Sequence, residues 1–401
     1  MKILQINSFF SVGGPPRIMN GIYTTLIENG HDCLIAAARE RIIYPENSIK
    51  IGSSIGVNKN AVLARVFDNE GFNAKYATKQ LIYKIIEYNP DVIQIHNLHG
   101  YFINIELLFD FIRSSNIPVV WTLHDCWSLT GHCAYFSFVD CNKWKEQCFN
   151  CPQRKEYPSS ILLDRSIKNY KDKEKCFSGI KNMVIVTPSK WLASFIPDSI
   201  LKEYPVKVIY NGIDLESFHK SESKILTKHH LENKKILLGV AQNWKERKGL
   251  EDFIKLSAML DDSYKVVLIG LTEEQKNSLP DSVLGLTRTE NIEELVDWYS
   301  SAYMFVNLTY QDNFPTVNIE ALACGTPVLT YNTGGSVEAI DDKCGWVVPQ
   351  GDLDSVVRTI HNVDERDVFA ENAMKRASLF SRKSKYLEYI KLYEEIVSRS
   401  I

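Results

Sequence analysis

Short β-branched runs alternate with segments of helical period along this chain, and near its middle the alternation begins again. Lys2–Asn7 reads as a strand, and Ile18, Ile22, Leu26 and Ile27 mark a helix face after it. Cys33–Ala37, Asp91–Ile95, Val119–Leu123, Val184–Thr187 and Val206–Ile209 are further strands, with helical spacing over Asn73–Tyr88 and Ile105–Arg113. The second series has strands at Lys235–Ala241, Tyr264–Ile269, Val283–Leu286, Met304–Leu308, Pro327–Thr330 and Gly345–Val348. Helices are expected at Leu250–Leu260, Ile292–Ala302 and Val317–Ala323, and a helical tail from Leu353. Repeated βαβ units admit few solutions, because parallel neighbours need a covering crossover. The expected fold class is therefore α/β, with two Rossmann-like doubly wound domains facing across a cleft.

The turn signal Asn211-Gly212 places the boundary, giving domains over 1–210 and 211–385 and a C-terminal helix over 386–401 that packs back on the first domain. A length of 401 residues fits two cores better than one. The 46 basic residues nearly balance 49 acidic ones, which argues against a general nucleic-acid binder. The first apolar run is too short for a signal peptide, and none approaches the roughly 20 apolar residues of a membrane span. A cytoplasmic protein is expected, attached peripherally at the inner face of the membrane if its acceptor is lipid-linked. Arg65, Lys75, Lys79 and Lys84 could form a basic face, although scattered solvated lysines explain them equally simply.

Residues that carry chemistry concentrate after the strands. Ser11-Val-Gly-Gly-Pro-Pro-Arg17 follows the first strand; its glycines Gly13 and Gly14 allow close approach to backbone, and the helix start favours an anion. A tight βα turn would look the same. His96 and His124 each follow a strand, where a histidine can donate to a sugar hydroxyl or stabilise developing charge. A histidine packed beneath a loop is the plainer explanation for either alone. Asp125 and Trp127 extend a polar and stacking surface beside His124.

The loop 126–151 is rich in cysteine, with Cys133, Cys141, Cys148 and Cys151 spaced x7, x6 and x2, and with Cys126 and His132 nearby. Cys-x2-Cys is half of a common structural zinc site. Separately buried thiols, or a disulfide in an oxidising compartment, are the alternatives. A closed site of four cysteines would staple a long loop with little core of its own.

In the second half, Gln242-Asn-Trp-Lys-Glu-Arg-Lys248-Gly249 carries Lys245, Arg247 and Lys248 between a strand and a helix, where cations can hold a diphosphate and stabilise it as it leaves. Asp312-Asn-Phe-Pro-Thr-Val-Asn-Ile-Glu320 sets two carboxylates eight positions apart around a helix start. Amides from Asn313 to Val317 offer an anion site there, and Glu320 could accept from two vicinal ribose hydroxyls. Asp312 would lie near the sugar. Gly325 and Pro327 then end the helix. Thr333-Gly-Gly-Ser336 is a weaker phosphate candidate of the same kind.

Together these residues resemble the retaining glycosyltransferases of family four, which have the GT-B two-domain fold. The resemblance covers essentially the whole chain. It rests on Gly13-Gly14, Trp121-Thr-Leu-His124-Asp125, Thr187-Pro-Ser-Lys-Trp191, Asn211-Gly-Ile-Asp214 with Phe218, Lys248-Gly249 and the run from Asp312 to Val328. The segment Cys126–Tyr135 with the later cysteines is similar to a branch of bacterial surface-polysaccharide transferases. The resemblance implies that Glu320 binds the donor ribose, that Asp312, in place of a glutamate, contacts the transferred sugar, and that Lys248 holds the diphosphate. The backbone of Phe314, Thr316 and Val317, with Asn313 beside them, would line sugar and diphosphate. His124 would contact the sugar near the reacting centre, and Gly13 and Gly14 would border the phosphates.

Arg17, His96 and Asp125 are the acceptor-side candidates. The donor implied is a UDP- or GDP-sugar, the acceptor a saccharide or lipid-linked saccharide, and no catalytic metal is needed. Three departures stand out: Asp312 is one methylene shorter than glutamate, Pro315 lacks an N–H, and Asn243 replaces the family's usual arginine, whose charge Arg247 or Lys245 would supply. The alternatives are an epimerase or phosphorylase on the same fold, or a non-catalytic nucleotide-sugar-binding partner in an assembly complex. A nicotinamide dehydrogenase fits poorly without a full Gly-x-Gly-x-x-Gly.

Overall fold

In the computed structural model, which describes residues 1–11, 13–39, 47–363 and 366–399, the chain divides into two compact units. One holds Met1–Tyr210 and the segment from Tyr386; the other holds Asn211–Lys385.

The first unit is built on strands β1 (Lys2–Phe9), β2 (Asp32–Arg39), β3 (Ser48–Lys50), β4 (Val92–Ile95), β5 (Val119–Thr122), β6 (Met183–Thr187) and β7 (Val206–Val208). They form one sheet, ordered β3-β2-β1-β4-β5-β6-β7, with parallel pairing throughout. Its helices are α1 (Gly14–Glu28), α2 (Ser54–Phe67), α3 (Lys75–Tyr88), α4 (Ile105–Ser115), α5 (Ser166–Phe177) and α6 (Lys190–Ala193).

Alternate strand residues feed two apolar layers, as a period of two requires. Leu4, Ile6, Ile93, Ile95, Val119 and Trp121 pack with Leu81, Ile85, Leu108 and Ile112 of α3 and α4. Ile3, Val92, Val120 and Val184 pack with Ile18, Ile22 and Leu26 of α1 and with Tyr386, Tyr389 and Tyr393. Ile27, expected on the same face, is 43% exposed, because one residue past Leu26 turns it about 100° away. Two polar strand residues are capped by tyrosines: Tyr393 donates to Gln94 Oε1 at 2.8 Å, and Thr122 donates to Tyr389 OH at 3.2 Å.

The second unit has strands β8 (Lys235–Val240), β9 (Tyr264–Ile269), β10 (Val283–Leu286), β11 (Met304–Asn307), β12 (Val328–Tyr331) and β13 (Gly345–Val348), ordered β10-β9-β8-β11-β12-β13 and again parallel. Its helices are α7 (Ile225–Lys228), α8 (Leu250–Met259), α9 (Glu273–Asn277), α10 (Ile292–Ser301), α11 (Thr316–Ala323), α12 (Leu353–His361) and α13 (Arg366–Ser378). The last helix, α14 (Arg382–Ser398), begins in this unit and carries Tyr386 onward in the first. Among the described residues no helix is long and apolar enough to cross a membrane.

In each sheet the strand order reverses once, between β1 and β4 in the first unit and between β8 and β11 in the second. Ligands in open parallel sheets bind outside the carboxyl ends of the strands at such a reversal. The β1–α1 turn and His96 lie at the first reversal. The loop 241–249 and the segment from Leu308 lie at the second.

Candidate functional site

At the reversal in the second unit, the chain leaving β8 and the chain leaving β11 are sewn together by backbone groups. Tyr310 N donates to Arg247 O at 2.8 Å, Thr309 Oγ1 to the same carbonyl at 3.2 Å, and Arg247 Nη1 to Gln311 O at 2.6 Å. Gly249 makes this approach feasible. Its φ is 74°, and a Cβ there would stand 2.1 Å from Leu308 O. Gly334 does the same for the neighbouring loop, where a Cβ would lie 2.0 Å from Asp312 O while Gly335 N donates to that oxygen at 3.0 Å. The Thr333–Ser336 loop therefore buttresses the backbone of Asp312.

The consequence is a short ion pair. Lys248 Nζ lies 2.5 Å from Asp312 Oδ2, with the side chains 19% and 21% exposed. Burial, aided by Arg247, pulls the Lys248 ammonium below its ordinary value against the attraction of Asp312. Burial acts to raise Asp312, but the Lys248 and Arg247 charges, with hydrogen bonds from Lys248 and the Asn313 amide, hold it below the usual carboxylate range. Asp312 is therefore ionised at neutral pH. Asp312, expected near the sugar, is thus the counterion of the lysine expected to hold phosphate. Asn243 and Lys245 are exposed, whereas Arg247 is half-buried beside the pair.

Helix α11 starts at Thr316 behind Pro315, with no side-chain cap on its first turn. Thr316 and Val317 are half-exposed there, while Asn313 and Phe314 are buried, Phe314 against Phe380. Asn211 Nδ2 donates to Phe314 O at 3.3 Å, so Asn211-Gly-Ile-Asp214 helps hold the turn. One turn into the helix, Glu320 is 3% exposed and accepts from Tyr299 OH at 3.0 Å. A buried amide pair fixes the helix to the sheet: Asn307 Nδ2 donates to Asn318 Oδ1 at 2.7 Å, and Asn318 Nδ2 to Ser336 O at 3.1 Å.

In the first unit, Gly13 caps α1 with φ 107°, and Gly14, Pro15 and Pro16 open the helix, with Arg17 exposed on its first turn. Val12 of this turn lies outside the described residues. A Cβ on Gly14 would meet nothing within 4 Å, so the space there is open.

The histidines form a buried chain. Gln5 Nε2 donates to Met19 O at 3.1 Å, which turns Gln5 Oε1 toward His96 Nε2 at 3.1 Å. His96 Nε2 therefore carries a hydrogen, and its Nδ1 is the acceptor. Against that Nδ1 lies His124 Nε2 at 2.9 Å, which must be the donor. Burial drives His96 well below its ordinary pKa and His124 to about 4, with Asp125 pulling His124 the other way. Both rings are neutral at pH 7. His124 is accordingly neutral, with Nε2 spent on His96, and is not the cation that stabilising developing charge would require. His96, 1% exposed, positions His124.

Asp125 uses both oxygens on the protein. Oδ1 accepts from Trp127 N at 2.9 Å and Oδ2 pairs with His99 Nε2 at 2.7 Å, while His99 Nδ1 meets Tyr157 OH at 2.8 Å. Burial acts to raise Asp125, yet His99 and the hydrogen bonds hold it below its ordinary value.

Gln5, His99, Tyr157 and Tyr299 escaped sequence reasoning. For Gln5 a signal existed: a lone amide inside an apolar strand needs a buried partner. The four loop cysteines are reduced and line one small cavity. Among the described residues no group of three or more His, Cys, Asp or Glu side chains is already arranged to hold a metal ion.

Two family descriptions match the chain. "Glycosyltransferase Family 4" matches residues 12–217, just over half of it, and "Glycosyl transferases group 1" matches 221–378. The Escherichia coli (strain K12) protein named for colanic acid biosynthesis glycosyl transfer, WcaC, is 23% identical over 99% of this chain and 100% of its own length. Among solved structures, sucrose-phosphate synthase from Thermosynechococcus elongatus aligns with a TM-score of 0.74 at 16% identity over 99% of both chains. Anabaena HepE in complex with UDP and glucose aligns with a TM-score of 0.70 at 16% identity, over 98% of this chain and 100% of that one. These likenesses identify the fold as GT-B.

Proposed function

Since the chain belongs to glycosyltransferase family 4, we propose that it moves a hexosyl unit from a nucleoside diphosphate sugar to a saccharide or lipid-linked saccharide, with retention of anomeric configuration, in surface polysaccharide biosynthesis. The observation that carries the donor assignment is the gathering of Lys248, Arg247 and the uncapped start of α11 at one sheet reversal, with Glu320 one turn deeper.

In this reading the diphosphate lies against Lys248 and the amides of Thr316 and Val317, with Arg247 supplying the charge absent at Asn243. Glu320, oriented by Tyr299, accepts from the ribose hydroxyls. The incoming diphosphate competes with Asp312 for Lys248 and releases the carboxylate toward the sugar. As the bond from the anomeric carbon to the phosphate oxygen breaks, the cations take up the charge that develops on that oxygen. The acceptor hydroxyl attacks the same face, and its proton passes to the departing phosphate. His124, neutral, is the first unit's candidate for contact with a sugar hydroxyl. No step requires a metal.

A lipid-linked acceptor accords with exposed Ile55, Tyr76, Tyr83 and Ile86 beside lysines on α2 and α3. Peripheral attachment there is tested by co-sedimentation with anionic and neutral vesicles.

The deciding experiment is a thermal-shift screen of UDP-, GDP- and ADP-sugars, followed by nucleoside diphosphate release with and without acceptor. A ligand at 100 times its Kd stabilises by about 2.7 kcal/mol. The true donor raises Tm in wild type but not in Glu320→Ala, and release depends on acceptor. Stabilisation by none of the three, or equal release without acceptor, would overturn the reading.

A further inference from the structure

Residues 126–165 form a long segment whose only regular elements are the 3-10 turns Trp127–Leu129, Ser137–Val139 and Lys143–Lys145. Loops of this length rarely hold one conformation without an internal staple. Cys133, Cys141, Cys148 and Cys151 all line a single cavity of about 10 Å³ inside it, roofed by Phe136, Trp144 and Phe149. That volume accommodates one small sphere. Cys133 and Cys151 share a hydrogen bond, and Cys148 and Cys151 are the two ends of a Cys-x2-Cys. From these placements we propose that the four thiolates bind one structural Zn²⁺.

The surroundings suit a metal thiolate cluster. Gly131 N donates to Cys148 Sγ at 3.2 Å, and the Gln153 amide donates to Cys151. Such N–H···S bonds orient and stabilise sulfur ligands. A zinc ion with four thiolates carries a net charge of about −2, and the nearby cations suit it. Lys173 is 1% exposed, and its ammonium donates to Trp127 O at 2.7 Å and Thr130 O at 3.0 Å and lies 3.4 Å from the centroid of the Trp127 ring. Asp68 already pairs with His132 at 2.5 Å. Lys143 lies at the cavity as well, bonded to Phe149 O and Asn150 O at 3.1 Å.

Cys133 and Cys148 are buried and fixed, whereas Cys141 and Cys151 sit at the rim, half-buried, and complete the tetrahedron by side-chain rotation. The fourth thiolate closes the coordination sphere, so the ion does no chemistry. What it holds is the loop that delivers Tyr157 to His99, the partner of Asp125. Binding releases thiol protons as each Zn–S bond forms.

The test is metal analysis of the full chain purified without chelator. About one zinc per chain is expected, falling in Cys141→Ser and Cys151→Ser but unchanged in Cys344→Ser, whose thiol lies in the other unit. Should the serine variants fail to fold, wild type exchanged with Co²⁺ decides: tetrahedral thiolate bands in the visible spectrum support the site. Zinc well below one per chain with no such bands, iron in its place, or retention of full zinc by Cys141→Ser and Cys151→Ser would each overturn the proposal.

Discussion

Replacing Lys248 tests what Asp312 is for. The pair is short, at 2.5 Å, and about one-fifth exposed on each side. A fully buried pair broken on one side costs about 3–5 kcal/mol, and an exposed pair about 0–1 kcal/mol. A charge-assisted hydrogen bond in between contributes about 1.5–3 kcal/mol, which is the coupling expected from a denaturation cycle of wild type, Lys248→Met, Asp312→Asn and the double variant. The effect on catalysis should be larger and differently distributed. Lys248→Met removes the cation that meets the leaving phosphate and also leaves Asp312 facing it. A drop in kcat/KM of about 10²–10³, or about 2.7–4 kcal/mol, is expected in a release assay with the identified donor. Asp312→Asn removes the competitor for Lys248, so free nucleoside diphosphate should bind about three- to tenfold more tightly by calorimetry, a gain of about 0.7–1.4 kcal/mol. In the double variant the binding defect should be milder than in Lys248→Met alone. Weaker diphosphate binding by Asp312→Asn, or a stability coupling below about 0.5 kcal/mol, would refute the counterion argument.

Further outcomes follow from the same geometry. His96 and His124 bind their protons more weakly folded than unfolded, so stability should be intact above the ordinary histidine value of about 6.5 and be lost as pH falls through about 4; His124→Asn should flatten that slope in denaturation series at stepped pH. Gly249→Ala forces a Cβ against Leu308 O at a left-handed φ and should lower stability by at least about 1–3 kcal/mol, seen as a shifted urea midpoint at unchanged slope. Tyr299→Phe removes the donor to Glu320 and should raise the donor KM with little change in kcat, whereas equal loss in kcat and kcat/KM would place the bond in the transition state only. Tyr393→Phe leaves Gln94 Oε1 without its tyrosine donor and should cost about 1–3 kcal/mol by chemical denaturation.

The strands were legible because fully buried parallel strands are continuous apolar runs: Tyr264–Ile269, Val283–Leu286 and Gly345–Val348 stand where the pattern put them. The stretch that gave no pattern contains β3 and α2. Helix α2 buries only Val57, Ala61 and Ala64 while exposing Val62 and Phe67, so its apolar residues do not mark one face. The candidate site was legible by position but not by partner. Periodicity places Lys248 and Asp312 at strand ends, yet their pairing depends on two glycines, Gly249 and Gly334, that let separate loops touch at the backbone. The tautomer of His124 was further out of reach. It is set by Gln5, more than a hundred positions earlier, through His96 and a carbonyl of α1.

The same topological position carries different electrostatics in the two sheets, charged in the second unit and neutral in the first. At the reversal beside β8 and β11 the protein keeps two cations, a matched carboxylate and an uncapped helix start, all of which respond to charge. At the reversal beside β1 and β4 it buries a chain of neutral amide and imidazole groups, whose hydrogen-bonding sense is fixed and whose charge is suppressed by burial. A diphosphate gains from the first arrangement and nothing from the second, while a sugar hydroxyl gains directional bonds from a neutral acceptor without the desolvation cost of an ion. Salt should separate the two contributions. Substitutions at Lys248 should reduce the dependence of donor KM on ionic strength. Substitutions at Gln5 or His96 should lower kcat/KM by a factor that salt leaves unchanged, and a salt-dependent loss at Gln5 would show that the first unit handles charge after all.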